Sequence, residues 1–571
     1  MMQMKLLTAL SLSLLPGTLS STPAQQPEQL LTPSQHLPFR DPATPPSSAV
    51  SFGDVNLLIV TDAHSWISKH AHPDYSVPLD AGYGEIASAV EHVKALAAEQ
   101  GRDVFFLNNG DHTEGSGLSD ASVYTAGVHG YDLFPLIQLM PFDALTIGNH
   151  DLYDTSTVSF MKHESGFIDS WAGNYLTSNT VNASTSEPIG DRYTVLTGPN
   201  AGTKLLVFGF LYHMTDSCDA VVVGDPVDTV AEQWFLDALA DNSDVDAIVV
   251  LSHMDLKDDN VGIINDAIRA AGVDTPVQFV TGHTHYRGFS KVDDAASSFE
   301  AGHYLDTLGW ISFDLEDDVW FNYEYIDANM DALYAFTGTT EDTFGTDLGA
   351  QISDAIEATV QELGLREVLG CPTSNYSYAA GLNVPGSLYT LYMDTIVPNA
   401  VFDTPTGTGN LPYHITSTGT LRYDVYVGEF YYDDVFAIAP FANTFLYYPD
   451  VSGDLIDAVV SGLLSLPHND AAEFDMVGSA LPSFVGGPAL PDGDLTYDLF
   501  INDFDQPNVV GIIAGLLGIS QDDVEADLVP WRDDVDADDY VDTTICWSKN
   551  VKQIWPCPDD KWDDGTHALE Q

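Results

Sequence analysis

Basic residues are scarce in this chain: 18 Lys and Arg stand against 85 Asp and Glu in 571 residues, a formal net charge of −67. A surface of that sign repels nucleic acid and anionic lipid, so neither a nucleic acid polymer nor a membrane is an expected partner. A phosphate site on such a chain has to generate its own positive charge locally. The acidity suits either strong salt or low pH, and composition does not separate the two.

Cysteine is scarce too, with four residues. The wide spacing of Cys218, Cys371, Cys546 and Cys557 argues against a thiolate metal site. An even count in an exported chain favours two disulfides, and three pairings are open. Cys546 and Cys557 bracket a short loop and are the preferred pair, which leaves Cys218 for Cys371. Beyond the first 21 residues no run is long and apolar enough to span a bilayer. Residues 1–21 hold Lys5, the apolar stretch Leu6–Leu15 and the small residues of Gly17–Ser21, the pattern of a secretory signal. Asn182 and Asn375 stand in glycosylation sequons, meaningful in a secreting eukaryotic host.

Apolar residues are plentiful, at 44%, with 11% aromatic, so the chain folds. Its length exceeds one core, and two large domains are expected. Residues 22–50, rich in Pro, Ser and Gln, read as a disordered lead-in. Residues 51–340 form the first domain. Within it, short apolar runs at Leu57–Val60, Val104–Leu107, Ala144–Ile147, Leu205–Phe210, Ala247–Leu251 and Val277–Val280 alternate with helical segments such as Gly84–Gln100, Val230–Ala240 and Gly262–Ala271. This is the pattern of an α/β sheet covered on both faces. Tyr304–Tyr325 reads as antiparallel strands closing the domain. Residues 341–370 carry a connector helix, with Ile352, Ile356, Val360 and Leu363 on one side. Residues 371–545 form a smaller α+β domain, with helices at Leu455–Leu466 and Val509–Leu517 and a strand-rich Thr420–Tyr432. Residues 546–571 are a disulfide-pinned tail.

Ligand-type residues follow the strands. The first ends in Asp62-Ala63-His64, where residues two apart point the same way. The second ends in Asn109-Gly110-Asp111, whose carboxylate has two oxygens to bridge two cations. The third ends in Gly148-Asn149-His150, with Asp154 four residues further on. Two more end in Ser252-His253 and in Gly282-His283-Thr284-His285. Each cluster alone is more often a turn or surface feature. Five strand ends of one sheet system make a site. Mixed N/O donors without thiolate suit two ions of Zn, Mn, Fe, Co or Ni. Two such cations, at +4 against −2 from Asp62 and Asp111, give a positive site inside a negative protein. Placed about 3.5–4 Å apart they clamp a phosphate ester and lower the pKa of a bridging water. His150, free of the metals, stands beside the phosphorus, and Asp154 is expected to orient it. His70, His72, His92, His112, His129, His163 and His303 fit no comparable pattern, although His112 and His303 border the site.

The ordered set DAH, GDH, GNHDLYD, SH and GHTH resembles the calcineurin-like metallophosphoesterases, and the GNHDLYD segment points to their 5′-nucleotidase branch. Ser298–Asp314 is similar to a fungal secreted or vacuolar subgroup. The resemblance covers 54–325 strongly and 371–510 weakly. It implies a four-layer αββα metallophosphoesterase domain followed by a 5′-nucleotidase C-terminal-type domain. It also implies one ion held by Asp62, His64, Asp111 and His285 and another by Asp111, Asn149, His253 and His283, with His150–Asp154 as the catalytic dyad. In the second domain, Ser417–Arg422 and Pro440–Thr444 resemble the family's substrate-reading segments, which makes Arg422 a phosphate or ribose ligand and Phe441 a base-stacking ring. A structural ion pair and a plain core position are the respective alternatives. Ser417 stands where the family has Asn, and Asn502–Gln506 replaces its GGDG-aromatic segment. The implied function is a secreted phosphohydrolase, extracellular or in a cell wall or vacuolar lumen, acting on a small phosphorylated substrate such as a nucleoside 5′-monophosphate. A nucleotide-sugar or dinucleotide pyrophosphatase, a cyclic-nucleotide phosphodiesterase and a non-catalytic metal-binding surface protein are the alternatives.

Overall fold

The computed structural model describes residues 50–72, 78–315, 319–402, 406–466, 482–487, 491–531 and 542–558. The expected signal 1–21, the lead-in up to residue 49 and the end of the tail lie outside them.

The first domain is built on two six-stranded sheets. In chain order the strands are β1 (Val55–Val60), β2 (Phe105–Asn108), β3 (Ala144–Thr146), β4 (Tyr175–Leu176), β5 (Tyr193–Thr197), β6 (Lys204–Leu211), β7 (Ala247–His253), β8 (Val277–Thr281), β9 (Arg287–Asp293), β10 (Ala296–Ala301), β11 (Thr307–Phe313) and β12 (Phe321–Asp327). One sheet runs β12-β11-β1-β2-β3-β4 and the other β9-β10-β8-β7-β6-β5. The strands β1 to β4 are mutually parallel, as are β6, β7, β8 and β10. The pair β11 and β12 closes the first sheet antiparallel, as Tyr304–Tyr325 suggested.

The alternation within β1 explains the layers. Leu57 and Ile59 point into a core between the sheets, with Leu107, Val207, Val249 and Val280. Leu58 and Val60 point the other way, onto helix Tyr83–Glu99 and its neighbours. On the far side, Leu206 and Phe208 pack on Phe235 and Ile264, from helices Gln233–Asp241 and Asp259–Ala270. The result is four layers, αββα. The central strands β1, β2, β3, β7 and β8 are buried on both faces, which is why each reads as a continuous apolar run.

Helix Asp347–Glu362 buries Ile352, Ile356 and Val360 in the same core as helix Tyr83–Glu99. A five-stranded mixed sheet then forms the second domain, in the order Phe484–Gly487, Leu411–Ser417, Thr496–Asn502, Phe445–Ser452 and Val529–Pro530. Helices Gly453–Leu463 and Gln506–Leu517 cover one face. Thr420–Tyr432, expected to be strand-rich, is mostly irregular, with only Phe430–Tyr431 in a strand.

The disulfide expectation fails. The bridge joins Cys371 to Cys557, with Cα atoms 4.9 Å apart, and Cys218 and Cys546 are not bridged. Proximity in sequence misled, because Cys546 lies inside helix Thr543–Ile554 with its side chain turned into the second core beside Trp547 and Val551. The bridge ties that helix's exit to the strand Val368–Gly370, closing a loop of 186 residues. Peptide mapping without reduction should recover a Cys371–Cys557 pair and alkylated Cys218 and Cys546. The variant Cys557→Ser should lower unfolding free energy by about 2–4 kcal/mol.

His414, on strand Leu411–Ser417, is 1% exposed and neither ring nitrogen has a hydrogen-bond partner among the described residues. Burial pushes it down to about 3. The unfolded chain therefore takes up a proton that the folded chain refuses between pH 6.5 and 3. Stability falls as pH drops through that window. His414→Leu should lose less stability than the parent between pH 6.5 and 4.5, by about 2–3 kcal/mol, in denaturant titrations at both pH values.

Candidate metal centre

The strands of both sheets deliver side chains into one buried space. Asp62, His64, Asp111, Asn149, His253 and His283 are all at most 6% exposed. Four of these, together with His285, adopt left-handed backbone: Asp62 (φ 50°), His64 (44°), Asp111 (51°), His283 (75°) and His285 (63°). Each conformation is costly for a residue with a side chain, by about 1–3 kcal/mol, and persists only where the surroundings enforce it. Here it turns the side chains back across the sheet ends. Two glycines make room. Gly110 has φ 89°, and a Cβ on Gly148 would lie 2.0 Å from Asp111 Oδ1.

The hydrogen bonds behind the ligands decide which atoms face inward. His64 Nδ1 lies 3.0 Å and 2.9 Å from the carbonyls of Thr113 and Glu114. His253 Nδ1 lies 2.8 Å from the carbonyl of Asn109. A carbonyl only accepts, so Nδ1 carries the proton in both rings and Nε2 presents its lone pair. The amide nitrogen of Asn149 donates to Tyr153 at 3.1 Å, which turns Oδ1 inward.

Electron-pair donors consequently crowd together. His253 Nε2 is 3.0 Å from Asp111 Oδ2 and 3.1 Å from Asn149 Oδ1. His283 Nδ1 is 3.0 Å from the same Asn149 oxygen. His64 Nε2 is 3.1 Å from His285 Nε2 and 3.5 Å from Asp111 Oδ2. His285 Nε2 is 3.7 Å from Asp62 Oδ1. Three overlapping sets of these side chains lie close enough to hold an ion among the described residues: Asp62, His64 and His285; His64, Asp111 and His150; and Asp111, His253 and His283; the first and last mark two positions. Such a donor set fits divalent cations of borderline character, with Asp111 between the two positions.

Electrostatics agrees. Burial pushes the Asp62 carboxyl up. Burial also opposes the charge of Asp111, but His253 and His150 hold it well below the usual carboxylate range. Against burial, Asp111 and Asp62 carry His253 up to about 10, so without a cation a proton takes its place. Burial, with His303, His64 and Arg422 nearby, keeps His285 neutral.

His150 and Asp154 part company. Asp154 caps helix Thr155–Ser159, its carboxylate accepting from the Ser156 amide at 3.0 Å and the Ser156 hydroxyl at 2.6 Å. The carboxylate on His150 Nδ1 is Glu114, at 2.5 Å. The four-residue spacing misled because Asp154 starts a new helix and is used up there. Glu114, three residues beyond Asp111 in the loop GDHTEG, went unnoticed. So did Asp151, whose carboxylate accepts from the amides of Gly148, His112 and Thr113 and pairs with the His112 ring at 2.9 Å, binding the two ligand loops together. His303 stacks on His285 at 4.6 Å, bordering the site as expected.

The second domain reaches the same place. The Phe441 ring lies 6.0 Å from that of His150, at 21°. The Arg422 guanidinium sits 4.9 Å from the centre of the Phe441 ring, and its Nε donates to the Gly419 carbonyl at 2.9 Å.

Comparison with known proteins gives a consistent picture. Residues 55–287 match the calcineurin-like phosphoesterase family, and residues 375–483 match the NAD nucleotidase C-terminal domain. An uncharacterized protein of Saccharomyces cerevisiae is 27% identical over 534 residues, covering 87% of this chain and 86% of its own. A protein of Arthroderma benhamiae named as a secreted protein is 26% identical over 480 residues, 75% of this chain and 70% of its own. The crystal structure of a 5′-nucleotidase from Candida albicans has the same fold, with a TM-score of 0.77 at 23% identity over 88% of this chain and 98% of that one.

Asp111→Asn should weaken metal binding by more than about 100-fold, since even outer-shell partners of ligands are worth 10–100-fold. Metal analysis of the dialysed variant checks this, and full occupancy would contradict the bridging position.

Proposed function

We propose, from the premise that this chain joins a calcineurin-like phosphoesterase domain to a C-terminal domain of the NAD nucleotidase type and is a metal-dependent phosphoester hydrolase, that it releases phosphate from nucleoside 5′-monophosphates and related small esters. The observation that carries the substrate class is the approach of Arg422 and Phe441 to His150. A guanidinium and an aromatic ring at the mouth of a phosphoryl site suit an anion attached to a planar base. A second aromatic, Phe504, is 54% exposed on a loop tied to that of Phe441. The ties are the Thr444 hydroxyl donating to Asp503 at 2.8 Å and the Asp503 amide donating to the Thr444 carbonyl at 2.9 Å.

Asp62, His64, Asp111 and His285 would hold one cation, and Asp111, Asn149, His253 and His283 the other. Bound there, two divalent cations supply positive charge to the phosphoryl oxygens and lower the pKa of the attacking water. Around them the protein does the rest. His64 and His253 are held in one tautomer by backbone carbonyls. Glu114 fixes the His150 ring by Nδ1. Water adds to phosphorus, the ester P–O bond breaks, and its electron pair goes to the leaving oxygen. Protonated His150 gives that oxygen its Nε2 proton, and the proton lost by the water restores the ring.

Export from the cell is part of this reading. Residues 1–21 carry the signal pattern, a relative is named as secreted, a disulfide is present, and no helix among the described residues is long and apolar enough to cross a membrane.

A phosphate-release screen tests the function. Purified protein should free inorganic phosphate directly from nucleoside monophosphates. Phosphate from sugar nucleotides only after a separate nucleotidase is added would favour the pyrophosphatase alternative. His150→Ala should lower kcat by about 10²–10⁴-fold while metal content stays at the parent's level.

A further inference from the structure

Behind His150 the chain places a second histidine that the hydrolytic scheme above does not use. Glu114 turns Oε2 to His150 Nδ1 at 2.5 Å and Oε1 toward His129 Nε2 at 3.8 Å. His129 Nδ1 lies 3.1 Å from Asp120 Oδ1. The other Asp120 oxygen accepts from the Gly115 amide at 2.8 Å, and the Glu114 amide donates to the Ser119 hydroxyl at 3.2 Å. The side chains of His150, Glu114, His129 and Asp120 are 2%, 8%, 12% and 2% exposed. They form one buried row of alternating imidazole and carboxylate leading away from the site.

We propose that His129 is a positioning residue for the hydrolysis: its imidazolium, seated between Glu114 and Asp120, holds the Glu114 carboxylate on His150. The inference rests on the function proposed above. Two carboxylates buried side by side cannot both stay ionised without a cation between them. Basic residues are rare in this chain, and His129 fills that place. Burial opposes its charge, but Asp120, Glu114 and the nearby Asp154 carry it up to about 9, so it is charged at neutral pH. Remove it, and the Glu114 carboxylate loses the ring that stands against its Oε1. Glu114 is then no longer fixed against the ring, and His150 delivers its proton poorly. A residue that only closes the loop between Gly115 and Gly130 would have no such effect on chemistry.

The two roles separate by leaving group. An alkoxide such as the nucleoside 5′-oxygen needs the proton, whereas p-nitrophenolate leaves nearly without it. His129→Gln should retain the parent's metal content and KM. Its kcat should fall about 10–100-fold on adenosine 5′-monophosphate and less than about 3-fold on p-nitrophenyl phosphate. An equal loss on both esters with metal retained, or no loss on either, overturns the proposal. Where His129→Gln does not fold, Asp120→Asn is expected to show the same split, and its absence there overturns the proposal equally. If the parent protein cleaves neither ester, the functional reading itself fails. If the parent cleaves both and the variant shows no split, only the role of His129 fails.

Discussion

Lone pairs from imidazoles, carboxylates and an amide converge on one dry space, and they share it only if positive charge sits among them. Much of the first domain follows from that constraint. Parallel strands of two sheets bring their carboxyl ends to one edge, so residues far apart in sequence arrive together. Left-handed backbone at Asp62, Asp111 and His285 turns the side chains inward, and Gly148 exists as glycine because Asp111 lies against it. Backbone carbonyls choose the tautomers of His64 and His253. The pull of Asp111 and Asp62 on His253 expresses the same constraint in the absence of a cation, with a proton standing in.

The site also inverts the sign of the molecule. With 18 basic residues against 85 acidic ones, the surface repels the anions that a phosphohydrolase handles. Positive charge is therefore concentrated at one place, from the cations that the donor set suits and from Arg422 of the second domain. The meeting of the domains is thus part of the chemistry. Hydrogen bonds from first-domain groups to second-domain carboxylates, such as Tyr124 to Asp542 at 2.8 Å and the Gly117 amide to Asp433 at 2.7 Å, hold that meeting in register.

What the sequence made legible was whatever depends on the end of a strand. The apolar runs and the convergence of the strand-end side chains follow from short-range pattern, because a buried parallel strand and the turn after it are local objects; the four layers came only from the family resemblance. What depends on a loop's path was not legible. Asp154 has the spacing to reach His150, yet its helix-capping geometry claims the carboxylate, while Glu114 arrives from another loop. Cys557 pairs across 186 residues rather than across eleven, because Cys546 faces the core of a helix whose register the spacing does not reveal. Thr420–Tyr432 carries the aromatic and branched residues of strands but follows the interdomain surface as irregular chain, its side chains packed against Trp66 and His72 instead of a neighbouring strand.

Anomalous diffraction from crystals of the metal-loaded protein, collected at the absorption edge of the bound metal, tests the central claim most directly. Two peaks about 3.5–4 Å apart with the Asp111 carboxylate between them are expected. A single peak, or peaks away from Asp111, His253 and His285, would contradict the account.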